Sequence, residues 1–142
     1  MVISMKIMVS ACLLGENCKY NGGNNRSQKV LDFISWHEVI PVCPEVLGGL
    51  ETPRIPSEIV NGTVMSREGK NVDYEFRKGA DIGLKMAIDN DVELVILQSR
   101  SPSCGVKNIY DGSFLGKVIE GKGVFAELLD DNGFKIVDVE DL

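Results

Sequence analysis

The 142-residue chain has one histidine, no C-x-x-C pair, no run of lysine or arginine, and no stretch approaching the ~20 apolar residues of a membrane helix. Each absence removes a class of protein. Without paired C-x-x-C units there is no zinc ribbon and no thioredoxin-like redox motif. With a net charge of −6 and basic residues scattered singly, a grip on a nucleic acid polymer would have to work against the overall field. A small molecule derived from RNA stays open. The lone His37, in SWHEVI between a predicted helix and strand, is a poor base or ligand and reads as a linker residue.

The N-terminal MVISMKIMVSAC fails as a signal peptide, because Lys6 interrupts the apolar run, leaving far fewer than the ~7–15 uninterrupted residues a signal core needs. The expected location is the cytoplasm, with no membrane partner. A content of 44% hydrophobic and 25% charged residues is that of a globular protein, and the length suits one domain over residues 1–142.

MKIMVS (residues 5–10) reads as a first strand, followed by a loop rich in Gly and Asn. RSQKVLDFISW carries Val30, Phe33 and Ile34 on one helical face, with Ser27 or Asn25 as cap, and EVIPVC is a second strand. The chain from Pro44 to Asn71 reads as an irregular, proline-rich loop with a short hairpin around VNGTVM. Phe76, Ala80, Leu84, Ala87 and Ile88 then recur at helical spacing, capped by Asn71 or Asp73. VELVILQ is a continuous apolar strand, as expected where both faces are buried. A helix over 124–131, stopped by Asn132-Gly133, leads into a last strand, FKIVDV. The succession predicts a single α/β domain: a three-layer, Rossmann-like, mostly parallel sheet with helices on both faces and an irregular Pro-rich loop insertion.

In such a sheet the loops leaving the carboxyl ends of the strands share one edge, where ligands bind. Cys12 follows the first strand, Cys43 closes the second, and Cys104 lies in the loop after the apolar strand, so the topology sends all three to that edge. Three convergent thiolates suit zinc or an iron–sulfur cluster. The alternative is three buried structural thiols, although each stands beside Gly, Pro or polar residues. Cys18 could complete a four-thiolate site, partner Cys12 in redox chemistry, or be incidental; incidental is preferred. Glu45, two residues from Cys43, could move protons, and Ser101 and Ser103, flanking Pro102, could orient a substrate; the plainer reading is a solvated carboxylate and turn-capping hydroxyls. Arg26, Arg54 and Arg100 sit in or beside these loops, where one could hold a substrate phosphate or carbonyl.

The blocks SACLLG…CKYNGGNN, VCPEVLGGLETPRIPSE, QSRSPSCGVKNIYDGSF and GKGVFAELLDDNGFKIV together resemble the thiouracil desulfidase (TudS-like) family, formerly a domain-of-unknown-function family, over Ser10 to Val137. The resemblance implies a 4Fe-4S cluster held by Cys12, Cys43 and Cys104, with one iron free of protein ligands and Cys18 not a ligand. It implies Glu45 and Ser101 as the catalytic pair; Ser103, Arg54 and Arg26 are the candidates for substrate binding that the loops themselves offer. It further implies non-redox desulfuration of 2- or 4-thiouracil, or a nucleoside or nucleotide of it, the substrate sulfur binding the open iron and leaving as hydrosulfide. The partners it implies are the thiolated pyrimidine and the iron–sulfur assembly machinery. The rival readings are a noncatalytic cluster- or zinc-binding module and a thiol redox protein.

GKGVFA (residues 121–126) matches a G-x-G-x-x-A phosphate-binding pattern, but the chain ends before the further βα units a dinucleotide site needs. Its glycines read more simply as a turn into a helix, with a mononucleotide or phosphate contact at this edge left open.

Overall fold

The computed structural model describes residues 4–142. Its first half contains β1 (Lys6–Ser10), a 3-10 turn (Ala11–Leu14), α1 (Gln28–Ile34), β2 (Glu38–Val42), α2 (Pro44–Leu47), β3 (Ser57–Val60) and β4 (Thr63–Ser66). Then follow α3 (Asp73–Asp89), β5 (Leu94–Leu97), β6 (Asn108–Tyr110), β7 (Val118–Glu120), α4 (Val124–Asp131), β8 (Ile136–Asp138) and a closing 3-10 turn (Val139–Asp141).

Four strands pair in parallel in the order β2-β1-β5-β8, as the alternation of strand and helix patterns predicts. Side chains alternate across the sheet and separate two cores. On one face Met8, Val95 and Leu97 pack with Phe76, Ala80 and Ala87 of α3 and Phe125 and Leu129 of α4. On the other, Ile7, Val9, Leu94 and Ile96 pack with Val30 and Ile34 of α1 and with Leu13. Each large side chain so buried contributes ~1.5–3 kcal/mol, which fixes the strand ends that carry the polar loops. All four residues of β5 are buried, the reason that segment reads as continuously apolar.

The strand order reverses at β1: β2 lies on one side and β5 on the other. Ser10 faces Val42 and Val9 faces Ile96 across the ladders, so the chain leaves β1, β2 and β5 at one level. The loops therefore part around a crevice at the carboxyl edge, the usual ligand position in open α/β sheets.

The hairpin expected around VNGTVM is β3-β4, turning through Asn61 and Gly62, both at positive φ. Helix α1 is capped by Ser27, whose hydroxyl accepts from the Val30 amide. For α3 Val72 stands at the N-cap, but the Asn71 side chain accepts the Asp73 amide at 2.9 Å and so serves the first helical N–H, while Asp73 accepts from the Val64 amide, tying the helix to β4. His37 is the linker residue expected, its Nδ1 accepting from the Met5 amide.

The loop after β2 contains a helix that the proline count obscures. Pro44 occupies the first turn of α2, where its missing N–H costs nothing and its fixed φ favours the helix. Helix α2 lies directly on α3: a Cβ on Gly48 would stand 1.9 Å from the Glu75 carbonyl oxygen, and one on Gly79 would stand 1.7 Å from that of Pro44. Two glycines thus permit the backbone contact that seats Cys43 and Glu45.

Candidate active site

A cavity of about 540 Å³ opens at the crevice and is lined by Cys12, Cys18, Cys43 and Cys104. The topology thus brings together the three cysteines expected at the edge, and it adds Cys18 rather than leaving it apart in its loop. All four are free thiols. Cys12 sits in the 3-10 turn after β1, where Asn25 donates Nδ2 to its sulfur at 3.5 Å. Cys43 is the N-cap of α2, and Cys104 lies in the turn after β5.

The thiols differ electrostatically. Burial pushes Cys104 up to about 12 and also raises Cys12, because a thiolate loses its hydration there. Cys43 is lowered to about 7, chiefly because the Cys18 thiol hydrogen-bonds to its thiolate; the same bond drives Cys18 upward.

Glu45 stands one turn into the cavity wall with both oxygens engaged. Oε1 accepts from Arg54 Nε at 3.0 Å, and Oε2 accepts from the Ser103 hydroxyl at 3.0 Å. Ser103 is buried and can give its one hydrogen only once; with that hydrogen on Glu45, the 2.9 Å contact between the two serine oxygens is donated by Ser101. The Ser101 oxygen accepts in turn from the amides of Ser103 and Cys104, both at 3.1 Å. The result is a directed chain from Ser101 through Ser103 to Glu45. Ser101 also shapes the turn that carries Cys104, so the turn-capping reading and the proximity to Glu45 both hold. Ser103, adjacent to Glu45, is the more direct neighbour, a contact no spacing rule could reveal.

Arg54 lines the cavity, but its guanidinium is committed to protein. Besides Glu45 it donates to the carbonyls of Cys18 and Glu51 and to the Thr52 hydroxyl, while its own amide binds the Tyr20 carbonyl. It therefore fastens the Cys18–Tyr20 loop to α2. Arg26 is exposed, donates to Gln28 and lies outside the cavity. Other cations line the cavity: Lys19, Arg67 and Arg100 form no ion pair among the described residues, and the Lys19 ammonium lies 5.9 Å from the Tyr20 ring centroid. Tyr20, Tyr110 and Phe114 supply aromatic lining.

The GKGVFA segment has a structural task. The first amides of α4 are taken: Val124 donates to the Pro102 carbonyl at 2.8 Å and Phe125 to that of Ser103 at 2.9 Å. A Cβ on Gly123 would stand 2.5 Å from the Ser103 carbonyl carbon, so only glycine lets the turn dock there. The helix end holds the Cys104 turn in place of a phosphate.

Among the described residues no three His, Cys, Asp or Glu side chains converge tightly enough for a single metal ion. The three soft thiols that line the cavity are a donor set suited to a thiophilic metal centre, with Glu45 held by Arg54 and Ser103. Fold and site together define a doubly wound α/β domain with a thiol-lined pocket at its switch point.

Comparison with known proteins agrees. The family model for 2-thiouracil desulfurase matches residues 7–141, and the chain belongs to that family. The uncharacterised protein YbbK of Bacillus subtilis (strain 168) is 38% identical over 146 residues, covering 96% of this chain and 97% of YbbK. The solved structure of the [4Fe-4S]-dependent thiouracil desulfidase TudS superposes with a TM-score of 0.89 at 35% identity, covering 98% of this chain and 93% of TudS. No helix among the described residues is long and apolar enough to cross a membrane.

Proposed function

We propose that this chain is an iron–sulfur-dependent desulfidase that converts a thiolated pyrimidine and water to the oxo compound and hydrosulfide. The observation carrying the reading is that Cys12, Cys43 and Cys104, delivered by three strand ends, share one cavity with a carboxylate linked to two hydroxyls. Family membership and the likeness to TudS support it.

The three cysteines would hold a 4Fe-4S cluster supplied by the iron–sulfur assembly machinery. Bound there, the cluster offers an iron open to a thiocarbonyl sulfur, a Lewis acid that makes the attached carbon easier for water to attack. The chain's own residues manage the proton. Glu45 accepts it at Oε2, directly or through Ser101 and Ser103, since the hydroxyl chain already points toward that oxygen. Arg54 keeps Oε1 occupied and so fixes which oxygen exchanges the proton. Water supplies the oxygen of the product and the substrate sulfur departs as hydrosulfide, with no net electron transfer.

The cavity cations Lys19, Arg67 and Arg100 favour an anionic form of the substrate, such as a nucleotide, in a chain whose net charge is −6. A thiol redox reading has one observation in its favour: Cys18 and Cys43 line the same cavity, and the Cys43 thiol donates to the Cys18 carbonyl at 3.8 Å.

One experiment separates the readings: iron and acid-labile sulfide analysis of anaerobically reconstituted protein, followed by assay of hydrosulfide released from 2- and 4-thiouracil and their nucleotides. About four irons and four sulfides per chain, lost in Cys43→Ser and kept in Cys18→Ser, together with turnover, support the desulfidase. Zinc alone, or a cluster without turnover, favours the noncatalytic module, and a metal-free protein that cycles a Cys18–Cys43 disulfide favours the redox reading.

A further inference from the structure

Glu58 is a buried carboxylate on β3 that lines the cavity yet lies on neither the thiols nor the Ser101–Ser103–Glu45 chain. Its Oε1 accepts two backbone amides, from Gly112 at 2.9 Å and Phe114 at 3.1 Å. Both donors belong to the loop that joins β6 to β7, and both residues sit at positive φ, +91° for Gly112 and +59° for Phe114. For a bulky aromatic residue that conformation is unfavourable and persists only when its surroundings impose it.

The surroundings here do so from three directions. A Cβ on Gly112 would stand 2.6 Å from the Ile59 carbonyl oxygen, so the loop rests on the backbone of β3. Asp111 accepts from the Ser113 amide and hydroxyl, and the Ser113 hydroxyl accepts from the Leu115 amide. The Asp111 amide binds the Lys117 carbonyl and closes the loop. Glu58 is the one side chain from outside the loop among these hydrogen-bond partners, and it holds the residue that reaches the cavity.

We infer that Glu58 is a positioning residue that latches the β6–β7 loop in place, and that Phe114, with Tyr110, is the wall against which a planar heteroaromatic ring lies. The inference deepens the proposed function and rests on it for the identity of the ring. Its physical content is specificity: a ring stacked on Phe114 gains where an aliphatic thioamide of equal sulfur chemistry does not. Two accepted amides on one carboxylate oxygen also explain why a carboxylate is buried at this point with no ion-pair partner among the described residues, since charge-assisted bonds of this kind are strong.

The test compares Glu58→Ala, Glu58→Gln and Phe114→Leu in reconstituted protein. Glu58→Gln keeps a carbonyl oxygen able to accept both amides, so its KM for 4-thiouracil stays near that of the parent. Glu58→Ala and Phe114→Leu raise KM by about tenfold, the scale of one lost base–aromatic stack, with kcat much less affected and iron content unchanged. Amide hydrogen exchange on the same proteins reads the latch without any turnover: Gly112 and Phe114 are protected in the parent, Glu58→Gln and Phe114→Leu, and exchange freely in Glu58→Ala.

Unchanged KM in Phe114→Leu overturns the wall, and unchanged protection in Glu58→Ala overturns the latch. Protection lost equally in Glu58→Gln also overturns the latch as drawn, by making the charge rather than the acceptor geometry decisive. If the parent turns over no thiouracil at all, the proposed function fails, and the exchange data still decide the latch.

Discussion

The Ser103 hydroxyl donates to Glu45 Oε2 at 3.0 Å, joining the turn after β5 to the helix after β2 by one hydrogen bond. Because Ser103 accepts from Ser101, its removal disconnects Ser101 from the carboxylate as well. Ser103→Ala is therefore expected to lower kcat about as much as Ser101→Ala, and Glu45→Gln to lower it by about 10²–10⁴-fold, the usual scale for a general acid–base group. Iron content should remain at the parental level in Ser103→Ala and Glu45→Gln, whereas Ser101→Ala also removes the oxygen that accepts the Cys104 amide and is expected to lose some iron. Steady-state hydrosulfide release normalised to iron checks this, and undiminished kcat in Ser103→Ala would remove the relay from the mechanism.

Arg54 makes four side-chain hydrogen bonds from one planar group. A lysine at this position keeps the charge but cannot reproduce the fork, so Arg54→Lys tests geometry against electrostatics. The expected result is a fall in kcat of about tenfold or more, accompanied by faster proteolytic cutting near Cys18–Tyr20, whose backbone Arg54 fastens. A charge-only role predicts near-parental values for both readings.

The docking of Gly123 beneath Ser103 yields a sharper structural test. A methyl group at 123 meets the Ser103 carbonyl at 2.5 to 2.6 Å, both atoms being backbone, so the turn must lift away from α4. Gly123→Ala should displace Cys104 and lower cluster occupancy while leaving most of the sheet folded. Iron analysis beside far-ultraviolet circular dichroism distinguishes this local loss from general unfolding.

How far the site could be read from the chain follows from which forces are local. The convergence of Cys12, Cys43 and Cys104 was legible because parallel connectivity alone sends loops after successive strands to one edge. The helix over Val124–Asp131 was legible from its periodicity and its Asn132-Gly133 stop. What escaped depends on partners distant in sequence. Helix α2 is four residues long, too short for a period to emerge, and Pro44 at its start was the one local signal. The commitment of Arg54 to Glu45 lies in tertiary hydrogen bonds, as does the hold of Glu58 on the Phe114 loop. Asp73 could have capped α3 by its type and position, but the Val64 amide claims its carboxylate. Cys18 looked incidental because its loop has no regular structure, and its carbonyl is held at the cavity by partners distant in sequence, the Arg54 guanidinium and the Cys43 thiol.

The tightest constraint on the site is the crossing of α2 and α3, where two opposing effects can be weighed. Replacing a glycine in a helix interior by alanine ordinarily stabilises by about 1 kcal/mol. At Gly79 the added methyl would stand 1.7 Å from the Pro44 carbonyl oxygen and 3.0 Å from the Gly48 amide nitrogen, and backbone atoms cannot rotate aside. Overpacking of this kind costs about 1–3 kcal/mol, or more where backbone must move, so the clash should win. Gly79→Ala is expected to lower Tm by several degrees, at roughly 2–4 °C per kcal/mol for a domain near this size, and to reduce iron retention by shifting Cys43. Gly83→Ala supplies the comparison. Its methyl would meet the Phe125 ring at 2.6 Å, a side chain that has some freedom to yield, so a smaller loss of Tm with cluster retention intact is expected. Thermal melts and iron analysis of the two variants order the effects, and equal behaviour would show that the α2–α3 contact does not set the position of the thiol.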